Sequence, residues 1–305
     1  MKRRSAIRHL LVAGAASCCP RLVTGNPENE EPNYTIHSDV RLVLLDVSVE
    51  GPRSGYVSGL SIDNFRVLEN GRPQSITVFD DNDIPVTVGI LVDESRSMAP
   101  KRAEVLTAAQ SFIEESNPLD QIFVLNFNEK VRRGLPDETL FSDNAQQLRS
   151  ALNRGMPEGR TALHDAIVAG LEQLELGRRD KKALIVITDG GDNASENTRK
   201  EMFDRVERSI ATIYTIGLFD AEDTDRAPGI LRRLAAISGG EAYFPLDPSG
   251  VVPACHRIAK YIRSRYTIGY VPQAGNSAGL RHIDVRVSAP GHARLTVHTR
   301  TSYRY

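Results

Sequence analysis

The feature that most constrains this chain is a change of rhythm at Pro85. From there to about residue 264, short apolar runs alternate with segments whose apolar residues recur every three or four positions. The runs at 86–92 and 183–188 lack polar alternation, as strands covered on both faces require, and 122–127 and 212–218 read as further strands. Helical spacing marks 100–116, 144–153, 161–176, 198–209, 228–237 and 251–263, with a short strand at 242–244. Strand and helix in turn predict an α/β domain over 85–264, built on a doubly wound, mostly parallel sheet. Outside it the pattern has period two. Residues 40–49 alternate, and Phe65, Val67 and then Ile76, Val78 flank Asn70-Gly71, a hairpin signal because both turn residues need positive φ. Period two returns at 266–271, 282–287 and 293–298, with Pro290-Gly291 expected to turn the last pair. Neither flank has helices to cover it. The β unit at 34–84 and the strands of 265–305 are therefore expected to pack together as an all-β sandwich, with the α/β domain inserted between its halves.

Charge narrows the function. The 305 residues carry 38 Lys+Arg against 39 Asp+Glu, a net charge of −1, which argues against a general binder of nucleic acid or anionic membrane. Recognition must then be local. Of three cysteines, Cys18 and Cys19 lie near the start and Cys255 stands alone in the body, so a disulfide framework and a cysteine zinc site are both excluded. Residues 1–19 read as an export signal: Lys2, Arg3, Arg4 and Arg8 precede an apolar run at 10–16 too short to span a bilayer. Arg3-Arg4-Ser5-Ala6-Ile7-Arg8 resembles a twin-arginine signal. Ala13-Gly14-Ala15 offers a small-residue cleavage site, whereas Ala15-Ala16-Ser17-Cys18 offers a lipoprotein box that would leave a lipid anchor on Cys18. Residues 20–33, with Pro20, Pro27 and Pro32, read as a linker. The expected destination is the periplasm, the cell envelope or the extracellular space.

Three loops carry candidate chemistry: Asp93-Glu94-Ser95-Arg96-Ser97 after the strand at 86–92, Gly159-Arg160-Thr161 before a helix, and Thr188-Asp189-Gly190 after the strand at 183–188. In an open parallel sheet, ligands bind outside the carboxyl ends of strands where the winding reverses. The hydroxyls of Ser95, Ser97 and Thr161 and the carboxylates of Asp93 and Asp189 are hard oxygen donors that suit Mg²⁺ and, less well, Ca²⁺ or Mn²⁺. Taken singly these residues are ordinary: Thr161 also reads as a helix N-cap and Asp189 as a turn former. Other chemistries fit worse. Ser95 stands where a phosphatase would need its second Asp, and Gly155–Thr161 lacks the P-loop Lys. No Gly-x-Ser-x-Gly elbow or His-Glu-x-x-His occurs. His164 reads as a packing or rim residue, and Cys255 and His256 point about 100° apart on a helix.

Asp93-x-Ser95-x-Ser97, Thr161 in Gly-Arg-Thr-Ala-Leu-His-Asp-Ala and Asp189 in Thr-Asp-Gly-Gly-Asp together resemble the metal-ion-dependent adhesion site of a von Willebrand factor A domain, over about 85–264. The flanks, through 40–49, 65–71 and 266–270, resemble a bacterial branch, the VWFA-related domain proteins. The resemblance implies a Rossmann-like fold and a divalent ion bonded by Ser95, Ser97 and Thr161, with Asp93 and Asp189 bonding directly or through water. It also implies capture of an Asp or Glu carboxylate of a protein partner by a non-enzymatic protein. Arg96 stands where the family more often has a small residue, and Arg160 where Gly is common; with Glu94 and Asp192 they form the expected partner-binding rim. An alternative is an envelope assembly or maturation subunit whose site holds a subunit carboxylate. A metal-dependent hydrolase is the remaining reading, and no general base beside a nucleophile supports it.

Overall fold

The computed structural model describes residues 42–52, 55–219, 227–272, 279–291 and 294–304. The expected export signal, Cys18 and the linker lie outside them. Five strands come first: β1 (Val43–Gly51), β2 (Gly55–Tyr56), β3 (Phe65–Glu69), β4 (Arg72–Gln74) and β5 (Ile76–Asp80). The α/β part runs β6 (Val86–Asp93), α1 (Arg102–Glu115), β7 (Gln121–Phe127), β8 (Val131–Arg133), α2 (Ala145–Asn153), α3 (Leu163–Glu175), β9 (Lys181–Thr188), α4 (Arg199–Arg208), β10 (Thr212–Gly217), α5 (Pro228–Ser238), β11 (Ala242–Tyr243) and α6 (Val251–Arg263). Four strands follow: β12 (Tyr266–Tyr270), β13 (Leu280–Val287), β14 (Thr296–His298) and β15 (Ser302–Arg304).

The central sheet has the order β11-β10-β9-β6-β7-β8, parallel except where β8 runs antiparallel to β7. All eight residues of β6 are buried, the consequence of helices on both faces. After β6 the chain goes to β7 on one side and later returns to β9 on the other, so the winding reverses at the carboxyl end of β6. The edge strand β8 was not expected, because Val131-Arg132-Arg133 carries no apolar alternation.

Side-chain caps mark where α2 and α4 begin. The Asn144 side chain accepts from the amides of Gln146 and Gln147 ahead of α2. Thr198 and Glu201 form a reciprocal capping box at α4: the Glu201 amide donates to Thr198 Oγ1 at 3.3 Å, and the Thr198 amide donates to Glu201 Oε2 at 2.8 Å. Thr198→Ala should cost about 1 kcal/mol, read as a lower urea midpoint at unchanged slope. Two helices begin later than their apolar spacing suggests. A 3₁₀ turn, Arg96–Lys101, precedes α1 and contains Pro100. The helix α3 starts at Leu163 because the loop around Asn193 holds the Thr161 backbone: the Thr161 amide donates to Asn193 Oδ1 at 2.8 Å, and its carbonyl accepts from the amides of Asn193 and Ala194.

The remaining strands form two sheets, β14-β1-β12-β5 with β2 on β1, and β15-β13-β3-β4. Leu45, Val47, Phe65, Tyr266, Ile268 and Val285 are among the residues of their shared core. Asn70 (φ 49°) and Gly71 (φ 77°) turn β3 into β4. The partner across that turn is Arg72–Gln74; Ile76–Asp80 crosses to the other sheet and pairs with β12. Pro290-Gly291 likewise does not close a hairpin. The strand β13 pairs with β15 at 280–282 and with β3 at 283–287, whereas β14 pairs with β1 in the other sheet.

Candidate metal centre

Two buried acids mark the carboxyl end of the central sheet: Asp93 ends β6 and Asp189 follows β9. Asp93 Oδ1 accepts the Ser95 amide at 2.8 Å, and Oδ2 accepts Thr188 Oγ1 at 2.5 Å. Burial pushes the Asp93 carboxyl up to about 6, against the opposing pull of hydrogen bonds from Thr188 and Ser95. Ser95 Oγ lies 3.2 Å from Ser97 Oγ, which in turn donates to Asp189 Oδ1 at 2.9 Å. Thr161 is buried beside them: its Oγ1 lies 3.8 Å from where a side chain on Gly190 would begin. The structure thus joins Asp93, Ser95, Ser97 and Asp189 in one hydrogen-bonded run and sets Thr161 against the residue after Asp189. Ser97 is exposed, so the run reaches solvent.

Sequence reasoning missed Lys101. Its Nζ donates to Asp189 Oδ2 at 2.9 Å and to the Leu218 carbonyl at 2.9 Å, with the residue 4% exposed. Four residues after Ser97, Lys101 comes round one turn later, yet a lysine at a helix start ordinarily reads as solvated. Thr188, whose hydroxyl holds Asp93, read only as the end of the strand at 183–188.

The expected rim is corrected in two places. Glu94 does not face solvent: it is buried, its Oε2 accepts Arg102 Nε at 3.0 Å, and it fills the space that a side chain on residue 155 would occupy, which is why Gly stands there. Asp192 caps α3, accepting the His164 amide at 3.1 Å and the Ser195 hydroxyl, with His164 Nδ1 3.3 Å from its other oxygen. Arg96 is exposed, and Arg160 pairs with Glu129 at 3.2 Å. His164 is a buried packing residue.

Among the described residues no cluster of three or more His, Cys, Asp or Glu could hold a metal ion. The centre instead offers hydroxyls with two acids, a wholly oxygen set that fits a small, hard cation. Its separations of 3.2 and 2.9 Å are hydrogen-bond distances. They also bracket the edge of about 3.0 Å between neighbouring oxygens of an octahedron with bonds of about 2.1 Å.

The model of the von Willebrand factor type A domain matches residues 87–252. Uncharacterized protein sll0103 of Synechocystis sp. is 25% identical over 175 residues, which cover 56% of this chain and 40% of that protein. The chain therefore spans about two fifths of that relative's length. Among solved structures, von Willebrand factor type A from Catenulispora acidiphila aligns with TM-score 0.53 and 15% identity over 88% of this chain and 75% of that one. Proximal thread matrix protein 1 of the mussel byssus, described with a zinc occupied MIDAS motif, aligns with TM-score 0.50 and 15% identity over 59% of this chain and 48% of its own. At such identities these structures share the fold. The chain belongs to the von Willebrand factor type A domain family, with its domain at residues 87–252.

Proposed function

We propose that this chain is a non-enzymatic binding protein that holds a divalent cation with Asp93, Ser95, Ser97, Thr161 and Asp189 and uses it to engage an Asp or Glu side chain of a protein partner. The observation that carries the reading is the meeting of hydroxyls and two carboxylates at a solvent-facing end of the sheet, at hydrogen-bond separations. The cation supplies electrostatic attraction for a carboxylate oxygen. The chain's own groups set how strong that attraction is. Two carboxylates and the Lys101 ammonium leave one net negative charge, so a divalent ion keeps positive charge to spare for a partner. Thr188 and the Ser95 amide hold Asp93, and Ser97 offers its hydroxyl at the surface. Mg²⁺ is the first choice over Ca²⁺ or Mn²⁺, because Ca–O bonds of about 2.3–2.6 Å would spread the oxygens to about 3.3–3.7 Å. Export through the leader at 1–19, to the periplasm or envelope, with Cys18 as a lipid anchor, belongs to the same reading. Among the described residues no helix is long and apolar enough to cross a membrane.

Calorimetric titration of Mg²⁺ tests the site. The wild-type chain should give a saturable heat that Asp189→Ala and Ser97→Ala abolish while circular dichroism stays unchanged. Equal heats in all three would refute the assignment.

A further inference from the structure

Two cavities lie side by side next to the loops of the candidate site and share lining residues. The first, about 380 Å³, is lined by Arg132, Arg133 and Arg154 and reaches the buried Asn126. The second, about 360 Å³, is lined by Arg96 and Lys130 and shares Arg132 and Glu158 with the first. The metal loop is part of the wall: the Glu94 carbonyl accepts the Glu158 amide at 2.8 Å, and the Arg96 amide donates to the Gly159 carbonyl at 3.3 Å. Charge there departs from that of the whole chain. Arg96, Lys130, Arg132, Arg133 and Arg154 face Glu129 and Glu158, with Glu129 already paired to Arg160 and Glu94 to Arg102. Among the described residues, the side chains of Arg96, Lys130 and Arg154 have no hydrogen-bond or ion-pair partner, and Arg132 and Arg133 donate only to neutral acceptors, Asn128 Oδ1 at 3.1 Å and the Asp137 and Thr139 carbonyls at 3.3 Å, so none of the five has an acid partner. A chain with net charge −1 has gathered uncompensated cations along one groove.

A second observation bears on the ligand's chemistry. Glu129 and Glu158 line the same groove as the cations. A continuous phosphate backbone, with a charge at every step, would run against both acids, whereas an extended polypeptide can place its carboxylates beside the cations and neutral residues beside Glu129 and Glu158.

We propose that this groove docks an acidic segment of a polypeptide, whose carboxylates meet the Arg132, Arg133 and Arg154 side chains while one further carboxylate reaches the metal centre. The proposal rests on the metal-site reading for that last contact alone. The partner is then more than a lone acidic residue: it carries a run of acids, and the groove sets its direction relative to the ion.

Fluorescence anisotropy with a labelled decaglutamate peptide and the full chain tests this in Mg²⁺ and in EDTA. The triple variant Arg132→Glu/Arg133→Glu/Arg154→Glu, all at exposed positions, should weaken binding at least about tenfold and keep the wild-type Mg²⁺ heat and circular dichroism. Asp189→Ala should lose the Mg²⁺-dependent part of the affinity and retain a salt-sensitive remainder. An affinity within about twofold of wild type in the triple variant would overturn the groove. An oligodeoxynucleotide of equal charge binding as tightly as the peptide would overturn its assignment to polypeptide. If Mg²⁺ gives no heat and EDTA no effect, the metal reading falls, and the triple variant still decides for or against the groove.

Discussion

Lys101→Met is expected to destabilise the metal-free protein by about 3–5 kcal/mol, and Mg²⁺ is expected to restore more stability to the variant than it adds to wild type. The two effects have one cause. Lys101 and Asp189 are 2.9 Å apart with side chains 5% and 1% exposed, so the lysine is a counter-charge that solvent cannot replace. Truncating it leaves a buried carboxylate without its ammonium. Asp189 keeps its place nonetheless: it directly follows β9, and Ser97 Oγ still donates to Oδ1. Orientation survives while charge is lost. A divalent cation held by Asp189 would then face a full carboxylate with no competing ammonium. Unit charges 4 Å apart interact by about 4 kcal/mol at an effective dielectric of about 20, and a third of that gives about tenfold tighter Mg²⁺ binding. Urea unfolding with and without Mg²⁺, with calorimetry of both proteins, measures each part. A variant with the wild-type midpoint in EDTA, or with weaker Mg²⁺ binding, would show that Lys101 does not act on the site through Asp189.

Lys101 also marks where sequence reading ended. The gathering of the five candidate residues at one end of the sheet was legible because their placement is local: Asp93, Ser95 and Ser97 share one loop, and Asp189 follows an apolar strand whose end can be read from its composition. Thr161 was legible as a residue opening a helix, but not the reason it is free of capping duty, since that depends on Asn193 some thirty positions away. Partners distant in sequence were the ones lost. Glu94 reads as a rim charge until Arg102 and the missing side chain of Gly155 show where it turns. The fold followed the same division. Apolar runs without alternation at 86–92 and 183–188 located the two middle strands of the central sheet, whereas β8 takes its strand character from hydrogen bonds to β7 rather than from its own residues. In the sandwich, period two located strands but not which sheet each joins, because crossing between sheets at Ser75 or Gly291 leaves no trace in alternation.

Glu69→Ala is expected to be as damaging as Lys101→Met, at about 3–5 kcal/mol, although it lies in the sandwich. Glu69 is 1% exposed and ends β3; it accepts Tyr270 and Tyr303 hydroxyls at 2.7 Å each and Arg281 Nη1 at 2.8 Å. Arg281 is itself buried, on β13, so the alanine variant leaves a guanidinium inside the protein without its carboxylate. Burial works to raise the Glu69 pKa, but the two hydroxyls and Arg281 outweigh it and hold the carboxyl below its ordinary value. Such a group contributes stability that is fully present above the ordinary carboxylate pKa of about 4.3 and is lost as pH falls through the lower folded value. Wild type should therefore lose stability on acidification below about pH 4, and Glu69→Gln should lose less over the same range. Replacing both partners, as Glu69→Gln with Arg281→Met, should recover much of what Glu69→Ala loses, because a neutral pair has no stranded charge. The effect should also reach the von Willebrand factor type A domain. Arg265, immediately before β12, donates to Thr212 Oγ1 at 3.0 Å and to the Gly239 carbonyl at 2.7 Å, and Arg300 donates to the Ser209 carbonyl at 2.7 Å, tying the sandwich to β10, α5 and the end of α4. Unfolding of Glu69→Ala should accordingly remain one transition by tyrosine fluorescence and far-ultraviolet circular dichroism, with its midpoint raised by Mg²⁺. Two separated transitions, only the later one moved by Mg²⁺, would show that the sandwich melts on its own.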